Sequence, residues 1–391
     1  MVSNFILSKT PRIIFGSGKR NELTGQVLRY GNKLLVVTGK SSLLRNNKGM
    51  ETIERLKESK VDVQFFTIGT EPSPVDIDKA VYENVAFGPD AVVAIGGGSV
   101  IDAGKAISAM LTVSGGTIDY LDDVGKAKHP GTKIPFIAVP TTAGTGSETT
   151  NNAVISYIGD NGFKKSLRHE NFVPDVSVID PELTLSCPPE ITAAAGMDAF
   201  TQLVESFLSL KSNPVTDALA IDGISHLIRS IHKAVQQPDN LPAREDMAYA
   251  AMLSGITLVN AGLGVVHGFA QPLGSLFNIP HGVVCGTLMG AANTITLEKI
   301  LKTGEKSVAL SKYAKLGWLI SRREDAEVSL AETFSEYVDE LTEKLKIPYL
   351  SKYGVSEHDT DKIVSLTGLK EHPVKLTSEE LKSILLERII H

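Results

Sequence analysis

The chain holds only two cysteines in 391 residues, Cys187 and Cys285. They lie far apart and form no Cys-x-x-Cys pair, so a reduced, cytoplasmic setting is expected. Basic excess is also missing. The net charge is -6 and the pI about 5.9, with no cluster of Lys and Arg that would mark a nucleic-acid surface. Long apolar runs are scarce. Near the start the run Phe5 to Leu7 spans three residues, too short for a signal peptide. No segment of ~20 apolar residues appears, so no membrane span is expected. Internal repeats and low-complexity linkers are absent as well. The most pointed absence is local. From Met247 to Leu297, 51 residues carry no Asp, Glu, Lys or Arg. His267 and His281 are ionisable there, with Tyr249 and Cys285 the only company. Gly, Asn, Gln, Pro, Ser and Thr interrupt the stretch, which reads as buried helices rather than a span.

What is present divides the chain in two. The length exceeds one comfortable core and suggests two domains. In the first half, apolar β-branched runs at 33–39, 61–69, 90–98, 133–142 and 175–180 alternate with helical patterns at 50–60, 76–87 and 99–112. Such alternation predicts a parallel sheet covered on both faces. The opening stretch 5–18, split by Pro11, reads as an edge hairpin. After Cys187 helical spacing takes over. Pro188 and Pro189 suit a first helical turn. At the end Ser378, Glu379 and Glu380 open a helical pattern that closes near Arg388. The expectation is an α/β Rossmann-like domain over 1–184 and an all-helical domain over 185–391, joined between Pro181 and Pro188, with a cleft between them.

Two loops in the first half suit a dinucleotide. In AIGGGSVIDAGK, Gly97, Gly98 and Ser99 follow a strand and open a helix, whose free N–H groups and dipole attract phosphate. It matches neither G-x-G-x-x-G nor the P-loop pattern. In VPTTAGTGSE, every residue from Thr141 to Ser147 except Ala143 is Thr, Ser or Gly, giving many donors and little bulk. Both loops end predicted parallel strands, where pyrophosphate and ribose settle. A third position bears on cofactor choice. An acid after LLVVT would repel a 2′-phosphate. Here stand Gly39 and Lys40, then Ser41 and Ser42. NADP is therefore accepted, at least beside NAD.

In the second half, Asp198 and Gln202 are four apart, as are His267 and Gln271; His281 follows Pro280. On a helix each pair shares a face. An Asp with two histidines, brought by separate helices, is a divalent-metal pattern. A lone buried histidine is more often a hydrogen-bonded core residue, but two inside an uncharged stretch ask for more.

Together GGGSVIDAGK, VPTTAGTGSE, VIDPELT, GMDAFTQLVES, VVHGFAQPLG and IPHG resemble the iron-containing alcohol dehydrogenase family, in its order and spacing, over almost the whole chain. The resemblance implies the dehydroquinate-synthase-like fold of that family. It implies a nicotinamide cofactor above a metal, Fe²⁺ or Zn²⁺, small alcohol or aldehyde substrates, and dimers or larger oligomers. It carries metal ligation to Asp198, His267 and His281. Gln202 stands where the family has a third His, and an amide oxygen would be a weak ligand there. Gln271 stands where the family commonly has a proton-moving His. Cofactor contacts carry over to Gly97, Gly98, Ser99, Asp102, Thr141, Thr142 and Thr145. A ribose-side lysine carries over to Lys164, with Lys165 the neighbouring alternative.

The leading expectation is metal-assisted hydride transfer between nicotinamide C4 and a small alcohol or aldehyde, with His267, His281 and Gln271 at the reacting centre. A metal-independent reductase on the same fold is the second reading, supported by Gln202 and Gln271. A dehydroquinate-synthase-like lyase would need several Lys and Arg for its anionic substrate, against the uncharged stretch. A non-catalytic nucleotide binder is the remaining alternative, which turnover of NAD(P)H with an aldehyde would exclude.

Overall fold

The computed structural model describes residues 4–40, 43, 46–69, 71–158, 162–302 and 307–389. The apolar runs of the first half become strands. In order they are β1 (Arg12–Phe15), α1 (Leu23–Val27), β2 (Lys33–Gly39), α2 (Asn47–Glu58), β3 (Asp62–Ile68), α3 (Pro74–Asn84), β4 (Ala91–Gly96), α4 (Gly98–Met110), β5 (Phe136–Pro140), β6 (Asn152–Tyr157), β7 (Phe163–Arg168) and β8 (Val176–Ile179). Of the eight strands among the described residues, six form one parallel sheet in the order β1-β8-β5-β4-β2-β3. The period of two along each strand splits a continuous apolar run between two faces. Leu35, Val37, Val92 and Ala94 pack with α3 and α4. Leu34, Val36, Ala91 and Val93 pack with α1 and α2 on the other side.

Two features differ from the sequence expectation. The stretch 5–18 is not a hairpin: only Arg12–Phe15 is a strand, and it pairs in parallel with β8. Pro11 has no N–H to donate to a ladder, and β8 offers the open edge that β1 completes. The second feature is an antiparallel pair, β6 with β7, standing apart from the main sheet. Its joining sequence includes Asn161 and Gly162, a strong hairpin signal.

The second half is helical: α5 (Pro189–Leu208), α6 (Pro214–Gln236), α7 (Leu241–Ala261), α8 (Val265–Phe277), α9 (His281–Lys302), α10 (Val308–Ser321), α11 (Glu327–Lys344), α12 (Thr360–Leu366) and α13 (Ser378–Leu386). Its core is built round α5, through Met197, Phe200, Leu203 and Val204. The uncharged stretch supplies most of α7, α8 and most of α9, largely buried. Among the described residues no single helix is long and apolar enough to cross a membrane. Only α7 and α8 taken together reach that length and composition, and they bend by 103°.

Two glycines fix how the halves meet. A Cβ on Gly255 of α7 would fall 2.2 Å from the Gly146 carbonyl oxygen, so the backbones touch. Gly146 itself has φ of 62°, which a residue with a side chain adopts at a cost. Beside them the Thr149 hydroxyl donates to the Met252 carbonyl at 3.1 Å.

Candidate active site

The nucleotide-binding expectation falls on one edge of the sheet. Strands β2, β4 and β5 end side by side, with Thr38 beside Ile95 and Gly96 beside Pro140. The chain moves outward from β2 to β3, then returns to place β4 on the other side of β2. That reversal opens a crevice beyond the strand ends, where α/β sheets bind ligands. Gly39 ends β2 and Lys40 follows it, Gly97 to Ser99 follow β4, and Thr141 to Thr145 follow β5. Ser41 and Ser42 lie outside the described residues. No side chain caps the N-terminus of α4. The two loops are pressed together: a Cβ on Gly98 would fall 2.5 Å from Thr145 Cγ2.

Beneath these loops lies a buried ionic cluster. The Lys105 amine is fully buried, donating to the Ser147 carbonyl at 2.8 Å, Thr150 Oγ1 at 2.9 Å and the Asn152 carbonyl at 2.7 Å. Burial lowers its pKa to about 8. Asp102 accepts from the Ser147 hydroxyl and from the Val154 N–H. Burial pushes its carboxyl up. Burial likewise lifts Glu148 to about 7.

Lys164 and Lys165 point to opposite sides of β7, as neighbouring strand residues must. The Lys164 amine pairs with Glu71 Oε1 at 2.5 Å and lies beside Gly274 of α8. Lys165 pairs with Asp123 at 2.9 Å.

Three helices converge on a second cluster. Asp198 and Gln202 sit one turn apart on α5. His267 lies in the first turn of α8. That helix ends at Asn278 in the left-handed conformation, the chain turns back through Pro280, and His281 opens α9. The Nε2 atoms of His267 and His281 each lie 3.5 Å from Asp198 Oδ1. Cys285, one turn after His281, places Sγ 3.6 Å from His267 Nε2 and 3.8 Å from His281 Nε2. All four donor atoms lie within 4.8 Å of one another, spacing that a single divalent ion can bridge.

Gln202 reaches the cluster with the other end of its amide. Its Nε2 donates to Asp198 Oδ1 at 2.9 Å, and its Oε1 accepts from the Ser254 hydroxyl at 2.7 Å. A carboxylate only accepts, so the nitrogen must face Asp198. Gln271, one turn beyond His267, is exposed.

Electrostatics separate the two histidines. Burial disfavours a charged His267, but Cys285, Glu205 and Asp198 outweigh it and raise its pKa well above the usual imidazole range. Its Nδ1 bonds Glu205 Oε2 at 2.6 Å. Burial, with Lys164 and His267 nearby, pushes His281 down to about 4 despite Asp198. Among the described residues the buried His281 Nδ1 has no hydrogen-bond partner. The charged forms of His281 and His267 and the bond from Gln202 hold Asp198 low against its burial. Burial lifts the Cys285 thiol to about 11.

Two family models match in succession. The model of iron-containing alcohol dehydrogenase covers residues 10–181, and that of the family's C-terminal region covers 192–389. The chain belongs to the iron-containing alcohol dehydrogenase family. It is 32% identical over 383 residues to an NADPH-dependent butanol dehydrogenase of Clostridium saccharobutylicum, covering 95% of both chains. It is 33% identical over 288 residues to an NAD-dependent methanol dehydrogenase of Bacillus methanolicus, covering 72% of this chain and 73% of that one. An alcohol dehydrogenase structure from Oenococcus oeni superposes with a TM-score of 0.86 at 30% identity, covering 98% of this chain and 99% of that one. This family member is an NAD(P)-dependent oxidoreductase acting on CH–OH groups, interconverting alcohols and aldehydes.

Two residues of the site escaped the sequence reading. Cys285 is four residues after His281, the spacing that puts both on one helix face. Glu205 is seven after Asp198, again the same face, and it also accepts the Val266 N–H at 2.7 Å. Both signals were available, but a lone Cys and a Glu in a helix are common without such roles.

Proposed function

We propose that this chain reduces small neutral or weakly polar aldehydes, and oxidises the matching alcohols, with a divalent metal at the Asp198, His267 and His281 donors. The observation that carries this reading is the convergence of those three donors from three helices, two of them, α8 and most of α9, drawn from the uncharged stretch. Iron or zinc bound there would polarise the substrate oxygen and ease hydride exchange with C4 of the nicotinamide. Glu205 holds His267 by Nδ1, which turns Nε2 toward the site. The uncharged stretch buries His267 and Cys285, while His281 stays partly open to solvent. Gly97, Gly98 and Ser99 take the pyrophosphate, with Thr141, Thr142 and Thr145 lining the opposite loop. Asp102 supports that loop through Ser147, and Lys164 serves the ribose side. Gln271 orients the substrate oxygen and, as an amide, does not titrate. Gln202 steadies Asp198. The division of the chain near residue 184, between Pro181 and Pro188, and assembly into dimers or larger oligomers belong to the same proposal. So does a cytoplasmic setting, which suits two free, buried thiols.

Metal analysis of purified protein, with an aldehyde screen using NADPH and NADH, tests this. Activity should vanish on chelation and return with Fe²⁺ or Zn²⁺. A metal-independent reductase is the second reading, favoured by the Gln202 amide on Asp198; full activity in metal-stripped protein would establish it. NADPH should be preferred or matched, because Gly39 and Lys40 leave room and charge for a 2′-phosphate. Lys40→Ala should cost NADPH roughly tenfold more kcat/KM than NADH. An NADH preference of ~100-fold, about 2.7 kcal/mol, would overturn the cofactor assignment.

A further inference from the structure

The geometry points to Cys285 as the fourth ligand of the divalent-metal site, as a thiolate joining Asp198, His267 and His281. The resulting Asp-His-His-Cys set would select zinc over iron. The inference rests on the metal reading above and goes beyond it, since it replaces the expected fourth donor and narrows iron or zinc to zinc.

Among the described residues, no other side chain offers a ready fourth donor. Gln202, whose position pointed to ligation, has its oxygen on Ser254 and its nitrogen on Asp198. To ligate, it would have to break both bonds and turn its amide over. Cys285 needs no such rearrangement. It is fully buried, and His281 lies one turn before it on the same face of α9.

The distances fit a tetrahedral set of protein donors, which a substrate oxygen would join as a fifth ligand. With ~2.0–2.1 Å to nitrogen or oxygen and ~2.3 Å to sulfur, ideal tetrahedral angles put N···O edges near ~3.4 Å and S···N edges near ~3.6 Å. The two N···O edges here are both 3.5 Å. The two S···N edges are 3.6 and 3.8 Å. The remaining edges, His267 to His281 and Asp198 to Cys285, are within 4.8 Å. Two neutral thiol contacts at such lengths are weak hydrogen bonds, so hydrogen bonding alone gives little reason for this placement.

Ligand type then sets the preference. A thiolate is a soft donor and suits zinc; carboxylate and imidazole alone discriminate less. Binding balances simply. The Cys285 S–H bond breaks, a sulfur–metal bond forms, the proton leaves to solvent, and no electron moves.

Cobalt reads this out without turnover. Full-length protein, stripped and titrated with Co²⁺, should show an intense near-ultraviolet thiolate-to-cobalt band beside tetrahedral visible bands. Cys285→Ser should lose the thiolate band and bind Zn²⁺ ~10–100-fold more weakly. Wild-type protein given equal Fe²⁺ and Zn²⁺ should retain zinc. Stoichiometric Co²⁺ binding without the thiolate band would overturn the role of Cys285 and leave the Asp-His-His site standing. Failure of the wild-type chain to bind Co²⁺ or Zn²⁺ at all would overturn the metal reading itself, and this inference with it. The wild-type spectrum decides even if the variant folds poorly.

Discussion

At the scale of single residues, the site is a set of side chains that constrain each other. Glu205 accepts two N–H groups at once, from Val266 and from His267. A glutamine there has one acceptor oxygen, so one donor would face an amide NH₂. If His267 is the donor displaced, it turns its lone pair to Nδ1 and presents Nε2–H to Asp198, the wrong form for ligation. Glu205→Gln should therefore weaken metal binding by ~10–100-fold with little change in fold. Competition with a chelating dye measures it, and unaltered affinity would show that Glu205 does not set the tautomer. The histidines and Asp198 were legible because they stand out against an uncharged background. The orientation of Gln202 was not, because spacing places an amide on a face without saying which atom points inward. Ser254, 52 residues away in sequence, supplies the partner that decides it.

At the scale of elements, strands were easier to read than their partners. The runs at 33–39 and 175–180 became β2 and β8 within a residue or so, since β-branched runs bounded by Gly and Asp have few other uses. The hairpin expected at 5–18 failed because strand pairing is a long-range choice: β1 finds residues more than 160 positions away. The contact between halves was equally invisible, as a glycine against a glycine leaves no pattern. It makes a sharp prediction. A methyl group at Gly255 meets backbone, which cannot step aside. Gly255→Ala should cost about 1–3 kcal/mol of stability and weaken cofactor binding through Gly146. Gly25→Ala in α1, with nothing within 4 Å, should be neutral or stabilising by ~0.5–1 kcal/mol. Thermal unfolding of both, with cofactor titration, checks the pair; equal melting temperatures would remove the claimed contact.

For the whole molecule, acid stability follows from buried imidazole. His372 is buried, with Nε2 3.0 Å from Thr296 Oγ1, and burial lowers its pKa to about 4 despite Glu205. The unfolded chain has the ordinary value of 6.5. Between those values the unfolded state binds more protons, so stability falls as pH drops from 6.5 toward 4 and levels off below. The full loss from this group is about 3 kcal/mol. His372→Gln keeps a polar tip near Thr296 and does not titrate. Its urea midpoint should decline less steeply over that window than wild type, and parallel profiles would assign the acid sensitivity elsewhere.

Lys105 carries a consequence for how a nucleotide is met. Its amine binds the end of the loop that runs from Thr141 to Ser147, while Gly98 crowds Thr145 from the other side. A free segment of such small residues would lose roughly 1–2 kcal/mol of conformational entropy per residue when a ligand fixed it. Here the freedom has gone before any ligand arrives. The loop is a mould cast during folding, and a cofactor seated there as proposed would fill it without first having to still it.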